Sequence, residues 1–247
     1  MIFTKKRTYK QHDNEKDSFY KFSVKKLPDQ NKITESFSTD ICIIGAGLTG
    51  ISSALHLSNN GLKITILEAN KVGAGASGRN GGQLGIGMRK DQFFLEKKFG
   101  FERAKFFWNI GLEAVQTVTN FIDKYEINCA LTKGIMHVGN TKRDYKYFIE
   151  EINHMEKKYD YSNYEYFDSE NIKNEVASNR YHSGILSKDS YHLNPLKLTY
   201  GLAEACIKNN IKIFENSPVN KIEDKNFEVH IHTNNHIIKS KKIIVAC

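Results

Sequence analysis

Three glycines in the run Gly45-Ala46-Gly47-Leu48-Thr49-Gly50, and one acid, Glu68, eighteen residues past the last of them, have the types and spacing to hold a dinucleotide. The chemistry is that of the backbone. Gly45 permits a tight turn, Gly47 lets a pyrophosphate come against the main chain, and Gly50 lets a helix pack closely on a strand. Leu48 and Thr49 open that helix, whose free N–H groups and partial positive charge favour phosphate oxygens. Glu68, with Ala69 beside it, is placed to accept hydrogen bonds from ribose hydroxyls. Its charge repels the 2′-phosphate of NADP, which leaves NAD and FAD.

Such a motif works only between a strand and a helix. "DICIIG", from Asp40, is a short β-branched run ending in glycine, which predicts a buried strand. "LTGISSALHLSNNG" then places Leu48, Ile51 and Leu55 on one helical face, with Ala54 and Leu57 on its flank, and stops at Asn60-Gly61. "LKITILE" follows as a second strand. The three make a βαβ unit of about 30 residues, with parallel strands and a right-handed crossover.

Beyond it lies "GAGASGRNGGQLG", Gly73 to Gly85, too rich in glycine for a helix or strand interior. Eleven of the 17 glycines fall between Gly45 and Gly87, and six of those are in this stretch. That density suits a second path along which a cofactor meets backbone N–H groups with no Cβ in the way. NAD needs little beyond the βαβ unit, whereas the ring of FAD reaches further, so the stretch favours FAD over a flexible surface loop. Arg79, within it, is suited to neutralise pyrophosphate or flavin charge, against the plainer reading of a loop salt bridge.

The elements around this nucleus follow from pattern. Residues before Thr39 read as an irregular polar arm with a break at Leu27-Pro28. Asp91 to Tyr125 reads as a long helix broken or bent at Gly100 and Gly111, and "ALTKGIMHVG" as a strand or hairpin. "TKRDYKYFIEEINHMEKKYD" is an amphipathic helix, "SGILSKDSYHLNP" a strand leading into a turn, and Pro195 opens another helix. Five strands are expected after it, "IKIFE", "VNKIE", "FEVHIHT", "HIIKS" and "KIIVAC". The predicted fold class is α/β, a Rossmann-like FAD/NAD(P)-binding domain with an inserted, incomplete α+β substrate domain. Its boundaries are an arm over 1–38, the FAD-binding domain over 39–125 and 193–247, and the substrate domain over 126–192.

Composition removes several function classes. The net charge of +8 is concentrated in the first 26 residues, which carry eight Lys/Arg against three Asp/Glu, so it does not predict a nucleic-acid surface. No apolar run is long enough for a membrane span, and no signal peptide is evident, so a cytoplasmic protein is expected. Cys42, Cys129, Cys206 and Cys247 show no metal-ligand spacing; Cys42 and Cys206 read as core residues, and no structural metal is expected. The nine histidines give no general base: His56 reads as a surface helix residue, and His230, His232 and His236 as a solvated face. His192 is the one beside a motif, Asn194-Pro195.

The runs "DICIIGAGLTGISSALHL", "ITILEANKVGAGASGRNGGQ" and "LNPLKLTYGLAEACIKNNIKIFENSPVNKIE" resemble the D-amino-acid oxidase-like FAD oxidoreductases, and within them the gamma-glutamylputrescine oxidoreductase branch. The resemblance runs from about Ser18 to Cys247. It implies that Ser77, Gly78, Arg79, Asn80, Gly81, Gly82 and Gln83 line the flavin and that the Val219 backbone meets its adenine end. It implies C–N bond oxidation of a small amine or amino acid by hydride transfer to the flavin, with oxygen as acceptor. No His stands in residues 73–87, where some relatives attach flavin covalently, so non-covalent FAD is expected. Family members run to nearly twice this length, and the chain stops on the apolar strand "KIIVAC". An interrupted protein is therefore expected, with its catalytic residues outside this chain and a partner chain or further segment completing the fold. Two other readings stay open here, a catalytically incomplete FAD-binding fragment and an NAD-dependent dehydrogenase.

Overall fold

The computed structural model describes residues 18–25, 27 and 29–247. The basic N-terminal stretch through residue 17, and Pro28 of the Leu27-Pro28 break, lie outside the described residues. In chain order the first elements are α1 (Phe19–Phe22), β1 (Phe37–Ile44), α2 (Leu48–Leu57), β2 (Ile64–Leu67), β3 (Gln83–Leu84), α3 (Gln92–Phe99) and α4 (Phe101–Lys124). There follow β4 (Thr132–Gly139), α5 (Asp144–Tyr159), β5 (Tyr164–Phe167), α6 (Asn171–Val176), β6 (Ser183–His192) and α7 (Pro195–Lys208). The last are β7 (Lys212–Phe214), β8 (Lys221–Asp224), β9 (Val229–His232) and β10 (Ile237–Val245).

The chain divides into two compact units, the first made of residues up to Gly81, Phe121–Cys129 and Asn194–Cys247, the second of Gly82–Asn120 and Ala130–Leu193. The first unit holds a six-stranded sheet in the order β7-β2-β1-β10-β9-β8. Its four strands β7, β2, β1 and β10 are parallel, and β9 and β8 return antiparallel. β2 is buried at all four positions, as a strand covered on both faces must be. α2 buries Gly50, Ile51, Ala54 and Leu55 and meets α7, where the Cys206 thiol reaches the Ile51 carbonyl. Cys42 and Cys206 are both fully buried, and burial pushes both thiols up to about 12.

α7 starts where chemistry dictates: the Asn194 side chain accepts the Lys197 N–H at 3.0 Å as N-cap, and Pro195, which lacks the donor, takes the first turn. The expected "HIIKS" and "KIIVAC" are one strand, β10, because its polar centre is paired on both sides of Ser240. That side chain is buried and donates to the Asp40 and Lys242 carbonyls, and Lys241 pairs with Asp40 at 2.7 Å. The segment before Thr39 is not wholly irregular, since α1 forms one turn, β1 begins at Phe37, and Leu27 and Ile33 are buried.

In the second unit β6 is the central strand of an antiparallel sheet. β4 runs along one edge of it, and β5 and β3 share the other. Gly134, with φ +99°, makes the bulge that interrupts β4 between Lys133 and Ile135. The helix expected over 91–125 breaks at Gly100, whose φ of +83° ends α3, but α4 runs unbroken through Gly111. Gly111 serves a different purpose: a Cβ there would lie 2.6 Å from the Gly87 nitrogen, so the loop backbone rests directly on the helix. The short β3, β5 and α6 have too few residues to show a period and were not anticipated.

Candidate functional site

The three motif glycines have separate structural reasons. Gly45 has φ +106°, and a Cβ would sit 2.7 Å from the Ala246 carbonyl oxygen, because β10 ends against this turn. At Gly50 a Cβ would lie 2.0 Å from the Gly45 carbonyl oxygen and 3.3 Å from Ile43, which is the close helix-to-strand approach. Gly47 differs from both: its φ is −87°, and its Cβ would meet only the Ser77 side chain, at 2.8 Å from Oγ. Gly47 is the N-cap of α2 and has no side chain with which to cap it. The hydroxyl of Ser77 supplies the missing acceptor, taking the Leu48 N–H at 3.0 Å. A hydroxyl oxygen thus stands at the helix N-terminus where a phosphate oxygen is favoured. Thr49 is exposed in the first turn beside it.

Glu68 leaves the end of β2 with both carboxylate oxygens engaged, one accepting the Ala46 N–H and the other the Asn70 N–H, each at 2.8 Å. It holds the glycine turn to the strand it follows, and each oxygen keeps a second accepting position. Ala69 is half-buried between these two bonded residues. Val219 lies in the irregular segment between β7 and β8, packed against the core cluster of Ile33, Cys42, Leu67, Ile231 and Ile238.

The glycine-dense stretch divides by role. Gly73 (φ +67°) and Gly78 face α7: a Cβ on Gly78 would lie 2.3 Å from the Gly73 carbonyl oxygen and 2.8 Å from Leu196. Those two side chains are absent to admit the protein's own helix. Gly75 and Gly81 face open space. Between them a 3-10 turn, Ala76–Gly78, is tied by the Asn80 side chain, which donates to the Ala76 and Ser77 carbonyls. Arg79 is exposed, and its side chain has no ion pair among the described residues. Gly82 is buried with φ +71° and accepts the Leu193 N–H, and Gln83 is exposed at the start of β3.

Of the histidines, His56 bonds back to the Ser52 carbonyl and its ring meets Phe121. On β9, His230 pairs with Glu228 and His232 with Glu223 of β8, half-buried rather than fully solvated, and His236 lies in the turn before β10. His192 is exposed at the end of β6, opposite Gln83 and Thr132.

Residues 40–247 match the family described as FAD dependent oxidoreductase. The chain belongs to that family. It is 35% identical over 214 residues to the probable oxidoreductase OrdL of Haemophilus influenzae, covering 87% of this chain and 50% of that protein. Gamma-glutamylputrescine oxidoreductase of Escherichia coli is 33% identical over 229 residues, 93% of this chain and 53% of the relative. The chain spans about half the length of the curated relatives it matches. Among solved structures, L-amino acid deaminase from Proteus myxofaciens superposes with a TM-score of 0.72 at 18% identity, over 90% of this chain and 48% of that one. Glycine oxidase from Bacillus cereus gives 0.62 at 22% identity, over 84% and 55%. These likenesses show the fold, the Rossmann-like α/β arrangement expected of the βαβ nucleus.

The residues present fit the family's cofactor. A helix N-terminus with no cap from its own residue, a glycine whose Cβ would crowd the Ser77 hydroxyl there, and a carboxylate at the end of the second strand all lie in the first unit. Glu215 belongs with them and was missed. It ends β7 as Glu68 ends β2, in register through Leu67 and Phe214. Its buried carboxylate accepts the Val72 N–H at 2.8 Å, the Lys71 ammonium at 2.9 Å and the Gln30 N–H at 3.3 Å. It fastens the entry of the glycine stretch to the sheet. The one available signal was the echo of "ITILE" in "IKIFE".

Proposed function

We propose that the first unit holds FAD non-covalently and that the protein oxidises the C–N bond of an amine or amino acid, of the gamma-glutamylputrescine kind. The observation that carries the reading is the Gly47 cradle, where the α2 N-terminus meets the Ser77 hydroxyl in place of a cap of its own. Gly45, Gly47, Leu48, Thr49 and Gly50 are assigned to the pyrophosphate, and Glu68 with Ala69 to the ribose. Ser77, Gly78, Arg79, Asn80, Gly81, Gly82, Gln83 and Val219 are assigned to the cofactor on the strength of the family match. Gly78, whose missing Cβ makes room for Leu196, could offer only its backbone.

When bound, FAD supplies an acceptor for the hydride of the carbon beside the amine nitrogen. The chain's own task is to neutralise and fix the phosphates, so that the ring is held in one orientation. In this reading the first unit is the FAD-binding part and the second the substrate part, which takes residues 82–120 that the sequence pattern assigns to the FAD-binding domain, with oxygen as acceptor and a cytoplasmic location. Among the described residues no helix is long and apolar enough to cross a membrane.

The test is the flavin content of Gly47→Val after gel filtration. Its side chain would fill the approach to the α2 N-terminus, so the variant is expected to retain less flavin than the parent. Equal flavin-to-protein ratios overturn the placement. Peroxide release with gamma-glutamylputrescine, set against simple amino acids and measured on a chain extended to the relatives' length, tests the substrate class.

A further inference from the structure

In the second unit, α3 and the first half of α4 expose a strip of aromatic rings. Phe106 is 61% exposed and Phe94 41%, and Phe99 and Ile110 are exposed as well. The rings are joined to one another. Phe99 meets the Phe107 ring edge-on at 5.7 Å, Phe106 meets Phe107 at 6.2 Å, and the Lys98 ammonium links Phe94 to Phe99, 5.7 and 5.2 Å from their centroids. The Lys90 ammonium lies over Phe94 too, at 5.3 Å. Helical spacing extends the strip, with Arg103 one turn before Phe106 and Ile110 one turn after it. Contiguous apolar surface marks an interaction site, whereas scattered exposed residues do not.

The charge around the strip says what it meets. Residues 88–110 carry six Lys/Arg against three Asp/Glu. The cations are Arg89, Lys90, Lys97, Lys98, Arg103 and Lys105, and none of them has an ion pair among the described residues. Two of the three acids are committed elsewhere: Asp91 accepts the Phe94 N–H as cap of α3, and Glu96 accepts from the Tyr159 hydroxyl and bonds the His154 ring, each at 2.7 Å. A covering protein segment would have to take the cations out of water, which costs more than pairing returns unless each finds a well-placed partner. A second copy of the chain, meeting the same face, would set cation against cation. An anionic bilayer requires neither. Ammonium groups stay in its wet headgroup layer beside the phosphates, while their stems and the rings reach the acyl boundary.

We propose that this face docks the protein on an anionic phospholipid surface, with Phe94, Phe99 and Phe106 entering the interface and Lys90, Lys98 and Arg103 meeting lipid phosphates. The helices lie on the bilayer; among the described residues none is long and apolar enough to cross it. The surface lies wholly within the second unit and does not rest on the flavin reading.

The test is sedimentation of the full chain with vesicles of phosphatidylcholine, or of phosphatidylcholine mixed with phosphatidylglycerol. Binding is expected with the mixed vesicles alone and is expected to weaken as salt is added. Replacing both rings, Phe94→Ser with Phe106→Ser, is expected to weaken it at least about tenfold. Lys90→Gln with Lys98→Gln should weaken it by at least about tenfold as well. All four side chains are exposed, so flavin content should not change in either pair. No binding to the mixed vesicles, equal binding to both kinds, or unaltered binding in the phenylalanine pair each overturn the proposal, the last by moving the contact to the basic N-terminal stretch. A dimer in gel filtration that the phenylalanine pair abolishes, with no vesicle binding, would show that a second copy covers the face. Loss of binding in a chain extended to the relatives' length would show that the remaining half covers it, and overturns the proposal equally. Should the phenylalanine pair not fold, the lysine pair decides, and unaltered binding there overturns the proposal.

Discussion

Glu68 has one accepting position on each oxygen already engaged by the chain, and this changes what its substitution does. Glutamine keeps one acceptor and turns an amide NH₂ toward either Ala46 or Asn70, whose N–H groups then lose their partner. We expect Glu68→Gln to lower FAD affinity by about 1–2 kcal/mol and also to lower the melting temperature of the flavin-free chain. An unchanged flavin-free melt would show that the two N–H bonds do not hold the turn. Glu151 behaves in the opposite way. Its carboxyl is raised from 4.5 to about 6, by burial first and then by Asp91, while Tyr147 on its own helix and Tyr164 on β5 also face it. The folded state therefore holds its proton to higher pH than the unfolded chain does. The penalty is absent below the unfolded value, grows as pH rises from 4.5 to 6, and is fully present above. Glu151→Gln should thus gain stability relative to the parent near pH 8 and not near pH 4, by roughly 1 kcal/mol after allowance for partial exposure. Equal differences in melting temperature at both pH values would contradict this.

Two effects oppose each other at Gly111 in the middle of α4. Alanine is a better helix former than glycine by about 1 kcal/mol, which would stabilise an exposed helix. Here its Cβ would stand 2.6 Å from the nitrogen and 2.9 Å from the Cα of Gly87, and a backbone cannot rotate aside as a side chain can. Overpacking costs about 1–3 kcal/mol and outweighs the propensity gain, so Gly111→Ala is expected to lower the urea midpoint. A higher midpoint would mean that the loop holding Gly87 yields easily.

Cofactor binding should register as stability of the molecule as a whole. A ligand bound only by the folded state, at a hundredfold excess over its dissociation constant, adds about 2.7 kcal/mol to unfolding. Added FAD is therefore expected to raise the melting temperature of the parent chain and leave that of Gly47→Val where it was. Equal shifts in the two would place the cofactor away from the α2 N-terminus. NAD in place of FAD should give no shift, since the family matched over residues 40–247 is FAD dependent.

The motif glycines and Glu68 were legible before any coordinates because their work is local. A tight turn, a helix start and a strand end lie within a few residues of each other, and the side-chain periods on either side mark what they join. Cys42 and Cys206 were legible for the same reason, each inside an apolar pattern. Long-range pairing hid the rest. Nothing in the chain announces that Ser77 caps a helix beginning twenty-nine residues earlier, or that Gly73 and Gly78 lost their side chains to α7. "HIIKS" and "KIIVAC" read as two strands because lysines separate them, and they became one when β1 supplied partners along the whole length. Gly111 read as a helix breaker and proved to be a landing place for another backbone. Glu151 read as one more charge on an amphipathic helix. Its partial burial comes from tertiary packing, and a carboxylate's surroundings are set by packing that one-dimensional periodicity does not record.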